Sequence, residues 1–376
     1  MKSFYAEKKK TSNNINSRIC RSLHSTQALM PQASVAIVGA TGAVGLELVP
    51  LLVSLPLVFS SPRVFASSRS AGKQLAYPSP SPAKTVLTVE LFDEATLIAL
   101  KFDFIFLAVS GSFSLQHGKN LAQGGTVVID NSSAFRYDPA IPLVIPEINF
   151  DAISKNHQII ANPNCTTAIA AIALFPLHAN FGKIKKCIVS TYQAASGAGQ
   201  PGMEELLAGC GAHLRNEKVE NEIFSSPLPF NCIPHIDTFQ DNAYTKEEMK
   251  VVWELRKILN DEEMAVSCTS VRIPTLRAHC EAITIEMGEK ITPEEARECI
   301  RRGDGVEVVD DLKVAGEEKY PMPLTASKKE NVEVGRIRQS LVFGDYGLDL
   351  FVCGDQLLRG AALNAVLIAK MMWVNS

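Results

Sequence analysis

The sequence predicts an α/β fold: a doubly wound parallel sheet followed by a second, α+β domain built on long strands. Three patterns carry this reading. Residues 33–38 form an apolar run that enters Gly39-Ala40-Thr41-Gly42-Ala43-Val44-Gly45, and a helical repeat follows with Leu46, Val49, Leu51 and Leu52. Short strand-like runs recur at 63–66, 85–89, 102–109 and 126–129, with a helical stretch at 114–123. Such alternation is the pattern of parallel strands joined by right-handed crossovers. From residue 185 the strands lengthen, at 185–193, 266–273, 278–287, 332–343 and 347–353, which indicates a largely antiparallel sheet with helices on one face.

Composition narrows the function. A chain of 376 residues is too long for one small core, so two domains are expected. A formal net charge of -3 offers no field for nucleic acid or an anionic membrane, and neither is expected as a partner. No apolar run approaches the ~20 residues of a membrane span. The nine cysteines are scattered, without CxxC or zinc spacing, which suits free thiols in a reducing compartment and no metal site. Residues 1–31 are different: Lys2, Lys8, Lys9, Lys10, Arg18 and Arg21 face a single acid, Glu7, among hydroxyl residues and without an apolar stretch. Such a segment reads as an organelle transit peptide, or else as a disordered tail.

Strand, glycine turn and helix in direct succession make a Rossmann-type dinucleotide site, in which backbone N–H groups and the helix start meet a pyrophosphate. The strand at 63–66 ends in Ser67-Ser68-Arg69-Ser70-Ala71-Gly72-Lys73. An NAD site usually places an acid there; hydroxyls, a guanidinium and an ammonium suit the 2′-phosphate of NADP instead. Ser110-Gly111-Ser112 and Asp130-Asn131-Ser132-Ser133-Ala134-Phe135-Arg136 also follow strands, where ligands of such sheets bind. Arg136 is a candidate grip for carboxylate or phosphate, or a partner of Asp138.

The chemistry centres on Asn162-Pro163-Asn164-Cys165-Thr166-Thr167, where an apolar strand turns a corner into an apolar helix expected to run up to Pro176. A cysteine at a helix start faces unpaired N–H groups that favour thiolate and lower its pKa from about 8.5, although isolated cysteines are more often inert and buried. Gln193 closes the first long strand ahead of Ala194-Ala195-Ser196-Gly197-Ala198-Gly199. Residues 222–243 read as an irregular excursion, and the helix beginning near Thr245 carries Glu247 and Lys250 among charges that suit a solvated face. Arg272 and His279 flank Pro274, Cys280 alternates to the opposite strand face and reads as core, and residues 355–372 read as one helix.

Gly-Ala-Thr-Gly-Ala-Val-Gly, Ser-Arg-Ser-Ala-Gly-Lys, Asp-Asn-Ser-Ser-Ala-Phe-Arg, Asn-Pro-Asn-Cys-Thr-Thr, Gln-Ala-Ala-Ser-Gly-Ala-Gly, Arg-Ile-Pro…His and Gly-Asp-Gln-Leu-Leu-Arg-Gly-Ala-Ala-Leu-Asn-Ala-Val occur in the order seen in aspartate-semialdehyde dehydrogenases, which the chain resembles from residue 33 to its end. The resemblance implies a Rossmann-type domain over 33–164 and 356–376, and a glyceraldehyde-phosphate-dehydrogenase-like catalytic and dimerisation domain over 165–355. It implies NADPH-dependent reduction of L-aspartyl 4-phosphate to L-aspartate 4-semialdehyde with release of phosphate, ahead of the branches to lysine, threonine, methionine and isoleucine. Carried over by motif, Cys165 is the nucleophile that forms a thioester, His279 the acid/base, and Gln193 the residue that positions the acyl group. Arg272 grips the α-carboxylate, Arg136 and Lys250 bind phosphate, Glu247 contacts the amine, and Asn131 belongs to the substrate site. Thr41, Gly42, Ala43, Val44, Arg69, Ser70, Ser196, Gly197 and Gln356 line the NADP site. A homodimer or homotetramer is implied, and the basic leader resembles that of the plant enzymes, implying a plastid. N-acetylglutamyl-phosphate reductase offers the same chemistry on a longer acyl phosphate. An NADP-binding regulator without chemistry should have lost Cys165, Gln193, Arg272 and His279.

Overall fold

The structure is a computed structural model and describes residues 31–77, 85–312 and 319–376. The expected leader, apart from Pro31, and the proline-rich loop at 78–82 lie outside the described residues.

The strands of the first half are β1 (Val35–Val38), β2 (Arg63–Ala66), β3 (Gln74–Tyr77), β4 (Thr85–Thr88), β5 (Glu90–Leu91), β6 (Phe104–Leu107), β7 (Val127–Asp130) and β8 (Ile159–Ala161). Six of them form a wholly parallel sheet in the order β5-β2-β1-β6-β7-β8. The order reverses between β1 and β6, which opens a crevice at their carboxyl ends. Helices α1 (Ala43–Val53), α2 (Glu94–Leu100) and α3 (Gly111–Leu121) supply crossovers. The run at 85–89 is not one of the parallel strands: Thr85–Thr88 pairs antiparallel with Gln74–Tyr77 as a separate hairpin, and the two-residue β5 takes the sheet edge. Apolar alternation alone does not say which partner a strand takes.

The second half contributes β9 (Ile184–Gln193), β10 (Ala265–Arg272), β11 (His279–Met287), β12 (Val306–Val308), β13 (Val332–Gln339) and β14 (Gly347–Gly354), in the order β10-β9-β11-β14-β13-β12. The sheet is mixed: both edge strands are parallel to their neighbours and the inner pairs are antiparallel. Helices α4 (Cys165–Asn180), α5 (Gly199–Leu214), α6 (Lys246–Leu259) and α7 (Pro293–Arg301) belong to this half. One core joins α4, α6 and α7 to the inner face of this sheet, through Ile169, Leu255, Ile300, Ile283 and Val352. The last helix, α8 (Leu363–Val374), returns to the first sheet and packs Val366 and Ile368 with Ile37, Phe104 and Ile129.

Three boundaries differ from the sequence expectation. Helix α4 continues through Pro176 to Asn180. A proline near the last turn deletes one backbone bond, while the Pro176 carbonyl accepts Asn180 Nδ2 at 2.7 Å. Strand β13 stops at Gln339, before a turn that leaves Leu341 and Val342 exposed. The expected helix over 355–372 is interrupted at its start by a π turn, Leu358–Ala362. Asp355 caps it, its Oδ1 accepting the N–H groups of Leu357 at 3.0 Å and Leu358 at 3.2 Å.

Candidate active site

Parallel strands deliver their following loops to one edge, and this collects the segments that the sequence scatters. The glycine turn follows β1, Ser110 follows β6, Asn131 follows β7, and the Asn162–Cys165 corner follows β8. A cleft of about 320 Å³ runs along that edge, lined by Gly42, Ala43, Val44, Asn131, Arg136, Cys165, Ser196, Gly197 and Gln356. It therefore joins the nucleotide turn to the cysteine.

The nucleotide end is made of backbone. Gly39 adopts φ +90°, a left-handed conformation that favours glycine. A Cβ on Gly45 would meet Gly39 O at 2.3 Å, so the turn closes only without one. Helix α1 starts at Ala43, and its Gly42 N-cap supplies no side-chain acceptor, which leaves first-turn N–H groups for an anion. Thr41 Oγ1 donates to Ser70 Oγ at 3.2 Å, bringing the turn to the acid-free loop where Arg69 lies exposed. These features fit a dinucleotide phosphate. On the opposite wall Gln356 Nε2 donates to Ser196 Oγ, while its Oε1 accepts Ala278 N–H at 3.0 Å. Ala278 itself sits at φ 68°, a strained position for a residue with a Cβ, immediately before His279.

The acyl end is a buried polar cluster. Asn164 caps α4, its Oδ1 accepting the N–H groups of Thr166 at 3.0 Å and Thr167 at 3.2 Å, so Cys165 opens the helix as its position in the sequence predicts. A Cβ on Gly360, in the π turn, would come within 2.8 Å of Cys165 Cβ; the turn and a glycine give the cysteine its room. Glu247 ties several residues together. Its Oε1 accepts Asn164 Nδ2 at 3.1 Å and Gln193 Nε2 at 3.2 Å, and its Oε2 accepts Lys250 Nζ at 2.9 Å. Burial opposes the Glu247 charge, but Lys250 and those hydrogen bonds outweigh it and hold the carboxyl below its usual range. Lys250 is shared with Asp237 at 2.8 Å, from the irregular excursion. Arg136 does not pair with Asp138. Its guanidinium donates to Asn162 O at 2.8 Å, Asn131 O at 2.8 Å and Glu254 Oε1 at 3.2 Å.

His279 and Arg272 meet beside Gly197, where a Cβ would lie 2.6 Å from Arg272 Nη1 and 3.2 Å from His279 Nε2. Ala194 N–H donates to His279 Nδ1 at 3.0 Å, which assigns the proton of the neutral ring to Nε2. Nε2 has no partner within the protein and is buried. Burial and the Arg272 charge push the imidazole pKa down to about 3, so the ring is neutral. Cys165 is likewise changed from the expectation of a lowered pKa. Burial and the Glu247 charge push its thiol up to about 11, against the pull of Arg136, Thr166 and Arg272. Desolvation and the adjacent carboxylate both favour the neutral thiol, and no imidazolium stands beside it to oppose them.

Sequence reading missed three participants. Glu254 is fully buried and accepts Asn164 N–H at 2.6 Å, Tyr137 OH at 3.2 Å and Arg136, joining the corner to α6. The acids of α6 are thus no solvated face: Glu247, Glu248 and Glu254 are all buried. The i, i+3, i+7 spacing of Glu247, Lys250 and Glu254 was the available signal. Arg277 joins Glu47 of α1 at 2.5 Å to Asp355 at 2.6 Å, across the two halves. Glu281, two residues beyond His279 on the same strand face, is a buried carboxyl without a partner, kept protonated by desolvation.

A dinucleotide turn opposite a helix-seated cysteine, with a buried histidine and arginine alongside, defines an oxidoreductase of the semialdehyde dehydrogenase class. Family models agree: the semialdehyde dehydrogenase NAD binding domain matches residues 34–156, and the semialdehyde dehydrogenase dimerisation domain matches residues 174–359. Aspartate-semialdehyde dehydrogenase of Synechocystis sp. is 42% identical over 90% of this chain and 96% of its own. That of Aquifex aeolicus is 41% identical over 90% and 97%. The solved aspartate semialdehyde dehydrogenase II of Vibrio cholerae, complexed with ASA, superposes with a TM-score of 0.83 at 37% identity, covering 91% of this chain and 98% of its own. The chain belongs to the aspartate-semialdehyde dehydrogenase family. The Candida albicans enzyme, solved with NADP, shares the fold at 22% identity and a TM-score of 0.68.

Proposed function

We propose that this chain reduces L-aspartyl 4-phosphate to L-aspartate 4-semialdehyde with NADPH, releasing phosphate, as a step of aspartate-derived amino-acid biosynthesis. The observation that carries this is Cys165 at the start of α4, in the wall of a cleft that begins at the glycine turn. Bound NADPH supplies the hydride. Cys165 Sγ attacks the acyl carbon, the carbon–oxygen bond to phosphate breaks with the thiol proton leaving on the departing phosphate, and a thioester remains, a better hydride acceptor than a carboxylate. His279 presents Nε2–H to the acyl oxygen and stabilises its negative charge while remaining neutral. Arg272 receives the α-carboxylate, Arg136 and Lys250 bound the phosphate subsite, Glu247 the amine, and Gln193 is held by Glu247 and Thr191 to orient the acyl group. Selectivity for NADP rests on Arg69 and Ser70 and on the lack of an acid between Ser67 and Lys73.

A homodimer through the outer face of the second sheet is supported by the matched dimerisation domain and by exposed Ile188 and Tyr192. The composition of residues 1–31 supports import into an organelle, and its likeness to the leaders of the plant enzymes supports a plastid, which expression of that segment fused to a fluorescent protein tests. The decisive assay is oxidation of aspartate semialdehyde with NADP and phosphate. Reduction of NADP only with N-acetylglutamate semialdehyde would overturn the substrate assignment.

A further inference from the structure

Two carboxylates hold the Lys250 ammonium. Glu247 Oε2 accepts its Nζ at 2.9 Å from the preceding turn of α6, and Asp237 Oδ2 accepts it at 2.8 Å from the irregular excursion. The other cation of the phosphate subsite, Arg136, is already matched by Glu254. The two acids on Lys250 are fixed to different degrees. Glu247 is buried, and its second oxygen is tied to Asn164 and Gln193. The Asp237 side chain is 31% exposed, and its second oxygen accepts the N–H of the adjacent Thr238 at 2.8 Å. Burial opposes the Asp237 charge, but Lys250 outweighs it and holds the carboxyl below its usual range, so this acid is ionised. Asp237 also lines a second cavity, of about 230 Å³, with Ser225 and Arg272, which gives its carboxylate room to turn away from Lys250. The backbone is anchored on both sides: Ile233 exchanges hydrogen bonds with Arg272 at 2.8 and 2.9 Å, and Thr238 O accepts the Lys246 N–H at 2.7 Å.

From this arrangement, and resting on the phosphate subsite proposed above, we infer that Asp237 competes with phosphate for Lys250. Entry of a phosphate group draws the Lys250 ammonium off Asp237, the less fixed partner, while Glu247 keeps its hold. When phosphate leaves, Asp237 takes the ammonium back. No proton moves in this exchange: burial opposes the Lys250 charge, but the two acids outweigh it and keep the side chain an ammonium. A carboxylate within hydrogen-bond reach of that ammonium repels an oxyanion bound there, and the partly dry surroundings strengthen the repulsion. Asp237 is thus a positioning residue: acting through Lys250, it sets how tightly phosphate is held and how readily it departs.

The test titrates inorganic phosphate into the full chain saturated with NADP, which fills the anion site at the glycine turn, and reads the dissociation constant by calorimetry. Asp237 sits at φ 69°, a left-handed conformation that asparagine and glycine accept, so Asp237→Asn and Asp237→Gly remove the charge without straining the backbone. Both are expected to bind phosphate about tenfold more tightly than the parent, and Lys250→Met to bind it at least about tenfold more weakly. In the oxidation of aspartate semialdehyde, KM for phosphate falls in the two Asp237 variants while KM for NADP is unchanged. A residue that merely braced the loop would, when lost, loosen phosphate or leave it as it was, so tightening is the discriminating result. Phosphate held alike or more weakly in both Asp237 variants, with Lys250→Met still weaker than the parent, overturns this inference and leaves the phosphate subsite standing. Phosphate held equally by Lys250→Met and the parent overturns the subsite, and the inference with it.

Discussion

The two ends of the cleft are built in opposite ways. At the nucleotide end, recognition comes from backbone N–H groups and missing side chains: Gly39, Gly45 and the uncapped start of α1. At the acyl end it comes from charged side chains withdrawn from water, with Arg136, Glu247, Glu254, Arg272 and His279 all buried. The first end is local and tolerant, since any chain with that turn presents the same N–H groups. The second is cooperative. Glu254 serves Arg136, Tyr137 and the Asn164 N–H at once, so loss of one member leaves its partners buried and unpaired.

Changes at the acyl end should therefore strike turnover while sparing the cofactor. Cys165→Ser is expected to lower turnover by at least about 10³-fold, because no thioester forms, while NADPH titrated by fluorescence binds within a few fold of the parent. Appreciable remaining turnover would remove the covalent mechanism. His279→Ala should cost about 10²–10⁴-fold, and His279→Asn less, since an amide still donates to the acyl oxygen. Equal losses in both variants would argue against the donor role in favour of proton exchange. Glu254→Ala leaves the Arg136 guanidinium without its counter-charge in the interior and is expected to cost roughly 3–5 kcal/mol in denaturant unfolding. A loss below about 1 kcal/mol would show that the cluster is not cooperative.

A pH series sharpens the same contrast. With the Cys165 thiol held up to about 11, the thiolate fraction rises tenfold per unit as pH climbs towards that value. Iodoacetamide labelling of Cys165, followed by mass spectrometry, should rise in step from pH 7 to 10 in the ligand-free enzyme. A plateau near pH 7 would mean that the helix start overcomes burial after all. The smallest effect is expected at the tolerant end: Arg69→Ala should weaken NADPH by about tenfold or less and leave NADH unchanged, as read from the two Michaelis constants.

The same contrast explains what could be read in advance. The glycine turn, the Asn164–Cys165 corner and the α/β alternation are short-range patterns, and each is found in the structure where its residues stand. The pairing of 85–88 with 74–77, the parallel edges of the second sheet and the π turn at 358–362 are not written in any local period. Each depends on which neighbour a strand meets or on what packs against a helix start. The protonation states were missed for a related reason. A cysteine at a helix start looks activated until the Glu247 carboxylate and the loss of water around it are taken into account.

By itself, the sequence determined the two-domain α/β build, the dinucleotide turn, the acid-free loop beyond β2 and the cysteine at a helix start. These rest on residue spacing and on the conformations that glycine and proline permit. Tertiary structure alone decided that Glu254 and Arg136, 118 residues apart, share one buried contact, and that Gly197 and Gly360 open space against His279 and Cys165. It also decided that His279 offers a proton at Nε2 from a neutral ring. Desolvation and charge pairing act through space, and only the folded chain sets those distances.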